Sequence, residues 1–229
     1  MQLSTNFHSA LKDYLFLMEK EYPQKATLKL ISDKYRLSGI ERSILFRGVV
    51  TTQKVNLRKS KVAESLPASG MITIDGFNVL RTIASYLMGR PVYVAMDGFL
   101  RDASELHGKP LEQNRRLKAF DLVLSMLNNG DYTLYIPFDS PVSRSGETAA
   151  SVNKILQEKN IKGRAETVRW ADYQLKQATT GIIATADSAI IEQAKVPVAD
   201  LAQLTLKYHF HPDFFDLRLF EKFNLLLDA

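Results

Sequence analysis

The chain has 229 residues, with 30 Lys and Arg against 25 Asp and Glu, a formal net charge of +5 and a sequence pI near 9.3. At 45% hydrophobic and 24% charged it has a globular composition, which excludes disordered, fibrous and low-complexity classes, and its length allows one large domain or two small ones. The absence of cysteine excludes a disulfide framework, thiolate zinc sites, iron–sulfur clusters and cysteine nucleophiles.

Apolar residues three and four apart predict helices over 10–21, 28–35 and 40–50, carried by Leu11, Tyr14, Leu15 and Met18 and by Ile40, Ile44 and Leu45. Pro23 and Gly39 punctuate them, and Ser38 is a helix cap. A further helix is expected over 52–66, with Lys54, Arg58 and Lys61 in one narrow outward sector beside an inward stripe of Val55, Val62 and Leu66. That sector is either a solvated face or a set of phosphate contacts. The stretch Pro67-Ala68-Ser69-Gly70 is too short for a free linker, so the parts on either side should touch.

From Met71 the rhythm changes to strand candidates at 71–75, 91–97, 132–138, 165–168, 181–185 and 196–198, separated by helices near 79–87, 112–127, 146–159, 172–177 and 188–194. This alternation predicts an α/β fold, a mostly parallel sheet flanked by helices and preceded by a small all-α N-terminal domain. The tail, 213–227, reads as a closing amphipathic helix. The charge divides with the pattern. Residues 1–66 carry 12 Lys/Arg and 6 Asp/Glu, and residues 67–229 carry 18 and 19, so all the surplus positive charge belongs to the helical part. No run approaches the roughly 18 apolar residues of a membrane span, and Met-Gln-Leu-Ser-Thr-Asn is not a basic segment leading into an apolar one; a soluble, cytoplasmic protein with no membrane partner is expected.

Ligands of open α/β sheets bind beyond the carboxyl ends of the strands. Here those ends are acidic: Asp75, Asp97, Asp139 and Asp187 each follow a strand, and Asp172 opens the helix before the last of these strands. One such Asp is ordinarily a cap or turn residue. Several at one edge repel one another and persist ionised chiefly with a cation among them. Oxygen ligands without Cys and with few His point to Mg²⁺ or Mn²⁺. Competing sites are excluded by their missing motifs. There is no dinucleotide glycine fingerprint, no P-loop, no acid two residues after Asp75, where Phe77 stands, and no nucleophile elbow around Ser143-Arg144-Ser145-Gly146-Glu147. His209-Phe210-His211 lacks a third ligand and is assigned to a turn.

Three segments together resemble a known group. Ile74-Asp75-Gly76-Phe77-Asn78-Val79 is similar to the opening of NYN domains, the branch of PIN-like nucleases whose first acid sits in an Asp-Gly-x-Asn turn. Ala171-Asp172-Tyr173-Gln174-Leu175, followed by 181–187 ending in Asp187, resembles the later segment of that group, and Val196-Pro197-Val198-Ala199-Asp200 its next short strand. The resemblance covers about residues 70–205. The helical start, with Tyr35-Arg36-Leu37-Ser38 and Glu41-Arg42, resembles the N-terminal partner in a largely uncharacterised prokaryotic family of such proteins. The domains implied are 1–66, basic and helical, and 70–229, PIN-like.

The resemblance implies metal-dependent hydrolysis of a phosphodiester, usually in RNA, with Asp75, Asp172 and Asp187 holding Mg²⁺ or Mn²⁺ and Asn78 ordering the loop or touching substrate. Asp97, Asp102 and Asp139 match no motif and are secondary candidates for holding metal-bound water. The acid that many PIN domains supply from an intervening helix is not identified here. The loop from Asp139 to Glu147 offers Ser143, Arg144 and Ser145 to an anion or uses them as caps, and Arg101 presents the same choice. Trp170, the one tryptophan, directly precedes Ala171 and Asp172 and is read as a core residue in preference to a base-stacking one. Three functions follow: an endoribonuclease assisted by the basic helical part; a non-catalytic RNA-binding or RNP-assembly protein of the same fold; and a small-nucleotide phosphohydrolase indifferent to loss of residues 1–66. No protein partner is visible, and a homodimer is left open.

Overall fold

The computed structural model describes residues 3–63, 65–103, 112–128 and 130–220. Four helices come first: α1 (Phe7–Glu19), α2 (Gln24–Tyr35), α3 (Gly39–Gly48) and α4 (Thr52–Lys59). Ser38 caps α3 as expected, in a reciprocal capping box with Glu41 that satisfies the backbone N–H of both residues at the helix N-terminus. The fourth helix ends at Lys59, earlier than its pattern suggests. The chain then runs extended, and 61–63 pairs in parallel with Val198 through Val198 N–H to Lys61 O at 2.7 Å and Ala63 N–H to Val198 O at 2.8 Å. The connector thus becomes an edge of the sheet that follows.

That sheet has five parallel strands in the order β5-β4-β1-β6-β7: β1 (Ser69–Ile74), β4 (Asp131–Asp139), β5 (Gly163–Val168), β6 (Ile182–Ala184) and β7 (Val198–Ala199). The helices around it are α5 (Gly76–Leu87), α6 (Gln113–Leu127), α7 (Ser145–Glu158), α8 (Ala171–Gln177), α9 (Ser188–Gln193) and α10 (Leu201–Phe210). His209, expected in a turn, lies instead in the last turn of α10, and His211 is its C-cap. His209 Nε2 lies 2.9 Å from Leu122 O, so this imidazole ties α10 to α6. Strand β1 is central. The chain builds β4 and β5 on one side of it and then crosses to build β6 and β7 on the other, so the order reverses between β1 and β6, the crevice where open sheets bind ligands.

The strand expected over 91–97 is not in this sheet. β2 (Val92–Val94) pairs antiparallel with β3 (Leu100–Asp102) and parallel with β8 (Phe215–Asp216), a separate three-stranded sheet. The helical part is built onto it. Phe7, Leu11, Tyr14, Ile44, Leu45 and Val55 share one buried cluster with Tyr93, Met96 and Leu217. Gly48 makes the contact close: a Cβ there would stand 2.6 Å from Tyr93 Cε2 and 2.7 Å from Leu217 Cδ1. Burying a side chain of Tyr or Leu size contributes about 2 to 3 kcal/mol, so removing 1–66 would strip Tyr93 and Leu217 of their cover. An activity test on such a truncation would report misfolding. The main core is separate, running through Ile72, Ile74, Leu80, Phe120, Leu134, Phe138 and Leu206. Residues 221–227 of the expected closing helix lie outside the described residues, and none of the described helices is long and apolar enough to cross a membrane.

Candidate metal centre and nucleic-acid interface

Asp75 leaves β1 and begins α5 at the switch point. Its Oδ1 accepts the Asn78 N–H at 3.3 Å and its Oδ2 the Thr185 hydroxyl at 2.7 Å. Thr185 Oγ1 in turn accepts the Asp187 N–H at 3.0 Å, and Asn78 Oδ1 accepts the Ala186 N–H at 2.9 Å. These bonds lock the first turn of α5 to the turn between β6 and α9. Asn78 therefore orders the loop. Gly76 has no side chain because one would meet the Phe138 ring, which Phe77 also touches edge-on at 4.9 Å between centroids. The Asp-Gly-x-Asn turn is thus a cap, a close approach and a cross-strand clamp in four residues.

Asp187 caps α9, its Oδ1 accepting from Ala189 N at 2.8 Å and Ile190 N at 3.2 Å, while its Oδ2 has no hydrogen-bond partner among the described residues. Asp172, exposed in the first turn of α8, makes no such bond there. Asp139 ends β4 and accepts the Ala171 N–H at 2.8 Å, fixing the start of α8. The carboxylates sense one another. Burial lifts Asp75 to about 7, with the charges of Asp187 and Asp172 pushing the same way against the bonds from Thr185 and Asn78. Partial burial raises Asp172 as well, and Asp187 and Asp139 add to it. Among the described residues no three His, Asp or Glu side chains stand close enough to hold a metal ion as a set. The donors are nonetheless all hard oxygens, and Mg²⁺ is commonly held by one or two carboxylates with water completing the shell. Asp75 and Asp187, which follow the adjacent strands β1 and β6 and whose charges act on one another, are two such carboxylates.

Several expected site residues are used elsewhere. Asp97 is 1% exposed and lies between two guanidiniums: Arg101 Nη1 at 2.6 Å and Arg58 Nη1 at 2.8 Å. Burial acts to raise its pKa, but Arg101 and Arg58 outweigh that and hold it below the usual carboxylate range. A carboxylate so neutralised is not a metal ligand. Arg58 also meets Glu192 of α9, and both arginines are 3% exposed, so neither is the outward phosphate contact expected of it. Helix α4 turns Val55 and Arg58 inward, while Val62 is 41% exposed. Lys61 Nζ donates to Ala194 O at 2.6 Å. Arg101 Nη2 lies 3.2 Å from Ser188 Oγ, so the buried ion cluster joins α4, β3 and the start of α9. Asp102 belongs to β3, and its carbonyl accepts from Arg47 Nη1 at 2.9 Å.

Lys54 does remain exposed. With Arg47, Gln24 and Phe46 it lines a groove of about 360 Å³ between the helical part and α9, whose far wall is Asp187 and Ser188. In the loop before α7, Ser143 and Arg144 are exposed but Ser145 is buried, its Oγ 3.4 Å from Ser140 O, so of the two serines only Ser143 remains open to an anion. Arg116 of α6 was not singled out by sequence. It is 3% exposed, its Nε has no hydrogen-bond partner among the described residues, and it stacks 5.8 Å over Phe77. Burial and the nearby charge of Arg144 lower its pKa. Trp170 is not in the core: it is 63% exposed, beside Tyr173 at 59%.

Two family models match consecutive stretches of the chain. A protein of unknown function (DUF434) matches 6–61, and a domain of unknown function (DUF5616) matches 67–204. The latter spans more than half of the chain. The chain belongs to the DUF5616 family. Asp75, Asn78, Asp139, Asp172 and Asp187 all fall inside the DUF5616 match, whereas Arg47, Lys54 and Arg58 fall inside the DUF434 match, so the groove is walled by both. The chain is also 28% identical over 205 residues to an uncharacterized protein of Methanocaldococcus jannaschii, covering 89% of this chain and 98% of that one. No solved structure matches.

Proposed function

We propose that this DUF5616 protein is a cytoplasmic, divalent-metal-dependent endoribonuclease of PIN-like fold. The observation that carries the reading is the set of mutually repelling carboxylates at the β1/β6 switch point, opening beside a groove lined by Arg47 and Lys54. Excess negative charge at the crevice needs a cation, and a positive wall beside it needs an anion; a metal ion and a phosphodiester meet both needs. Asp75 and Asp187 would hold Mg²⁺ or Mn²⁺, with Asp172 and Asp139 acting through water. Bound there, such an ion supplies a water of lowered pKa and neutralises charge on the phosphate.

The chain's own residues do the positioning. Thr185 donates to Asp75 Oδ2 and accepts the Asp187 N–H with the same oxygen, so the two acids keep their spacing without metal. Asn78, in the first turn of α5, pins the turn between β6 and α9. Arg47 and Lys54 draw the polyanion to the Asp187 wall, a contact that weakens with salt. The absence of a gathered trio among the described residues favours a second reading, an RNA-binding protein with this fold and no turnover. Incubation of the purified chain with total cellular RNA, with and without Mn²⁺, separates them. The nuclease reading expects Mn²⁺-dependent cleavage by wild type and none by Asp187→Asn. Equal cleavage by the variant would remove the site from the mechanism, and salt-sensitive binding without cleavage would favour the second reading.

A further inference from the structure

Trp170 and Tyr173 occupy the first turn of α8 and the residue before it, on either side of Asp172 in the chain. Both are more than half exposed, an unusual state for two large rings three residues apart. With Asp139, Asp172, Lys176 and Gln193 they line a cleft of about 530 Å³. Two of its six lining residues, Asp139 and Asp172, are the acids proposed to act at the metal through water, and Asp172 senses the charge of Asp187, so the cleft borders that centre. Arg169 stacks 5.4 Å over the Trp170 ring, covering one face while the ring as a whole stays open. The turn that carries the rings is anchored. Asp139 fixes the Ala171 N–H at 2.8 Å, and Ala171 and Leu175 are buried beneath the turn.

Resting on the ribonuclease reading, we infer that Trp170 and Tyr173 form a stacking subsite for an unpaired nucleobase next to the scissile phosphate, so that the substrate is single-stranded RNA. A planar aromatic ligand suits the exposed rings, because base–aromatic stacking tolerates every base. The cations Arg169 and Lys176 beside the cleft suit the phosphates on either side of that base. A duplex cannot present such a base without unstacking it. The volume accommodates a nucleotide, since small-ligand pockets begin at roughly 300 Å³. An apolar protein partner would leave Asp139, Asp172, Arg169 and Lys176 desolvated around the rings, and burying charges without partners is unfavourable.

The test uses the intact chain in EDTA, where no cleavage occurs, and reads Trp170 fluorescence, the one tryptophan signal in the protein. The probes are a 12-nucleotide oligoadenylate, the same length of abasic ribose-phosphate chain, and a 12-base-pair RNA duplex. The oligoadenylate should quench Trp170, and the other two should not. By filter binding, Trp170→Ala and Tyr173→Ala should each weaken the oligoadenylate about tenfold or more, while Trp170→Phe stays within about threefold of wild type. Near-wild-type affinity in both Ala variants, saturation without quenching, or equal quenching by the abasic chain or the duplex would overturn the subsite. The outcomes also separate this inference from the activity it rests on. Quenching with no Mn²⁺-dependent cleavage keeps the subsite and removes the nuclease; cleavage of RNA without quenching does the reverse.

Discussion

The Asp75 carboxyl should destabilise the metal-free fold, and Asp75→Asn should relieve that cost in a way that depends on pH. Its pKa rises from 3.8 to about 7 on folding. For a carboxyl raised by folding, the favourable contribution is the protonated form, present below 3.8 and lost as pH rises through about 7. At about 1.4 kcal/mol per pH unit, Asp75 costs the fold about 4 kcal/mol at pH 8, where it is ionised, against about 2 kcal/mol at pH 5, where folding makes it take up a proton. Asparagine keeps the cap, because its Oδ1 still accepts the Asn78 N–H, and its amide can donate to Thr185 Oγ1. The advantage of Asp75→Asn over wild type should therefore grow by about 2 kcal/mol between pH 5 and pH 8, a shift in relative urea midpoint on the order of 1 M. Mg²⁺ at about ten times its wild-type dissociation constant should return about 1.4 kcal/mol to wild type at pH 8 and no more than about 0.4 kcal/mol to the variant. An Asn variant with the same offset at both pH values would refute the buried, mutually repelling carboxylate on which the site rests.

Asp97→Ala leaves Arg58 and Arg101 buried without their shared partner, and urea unfolding should show a loss of about 3 to 5 kcal/mol. Gly48→Ala drives a methyl into Tyr93 and Leu217; a loss of about 1 to 3 kcal/mol, with both parts of the chain unfolding in one transition, would show that the helical part and the small sheet form one unit. Arg116→Met removes a buried guanidinium whose Nε has no hydrogen-bond partner among the described residues and should raise the urea midpoint, by about 1 kcal/mol or more in stability. Thr185→Val removes the hydroxyl shared by Asp75 and the Asp187 N–H; Mn²⁺-dependent turnover should fall about tenfold or more while circular dichroism is unchanged.

The acids at the strand ends were legible because each ends an apolar run, where an α/β sheet places its crevice. Asp75, Asp139, Asp172 and Asp187 do sense one another there, directly or in sequence. Asp97 has the same signature and a different fate, since periodicity cannot tell a strand of the main sheet from one of a side sheet. Arg58 was misread for a related reason. Its helix face is decided by a carboxylate 39 residues away in the chain, not by local spacing. Thr185 gave one unused signal, a hydroxyl at the end of the apolar run Ile182-Ile183-Ala184, where burial demands partners. Trp170 was assigned to the core by residue type alone, and only the packing of α8 exposes it.

The central claim is that the carboxylates at the β1/β6 crevice bind a divalent ion. Mn²⁺ titration followed by electron paramagnetic resonance, on the intact chain near pH 7.5, tests it most directly. Wild type should bind Mn²⁺ with Mg²⁺ competing for the same site, and Asp75→Asn and Asp187→Asn should each weaken that binding about tenfold or more. Binding unchanged in both variants, or no bound Mn²⁺ at millimolar concentration, would contradict the account.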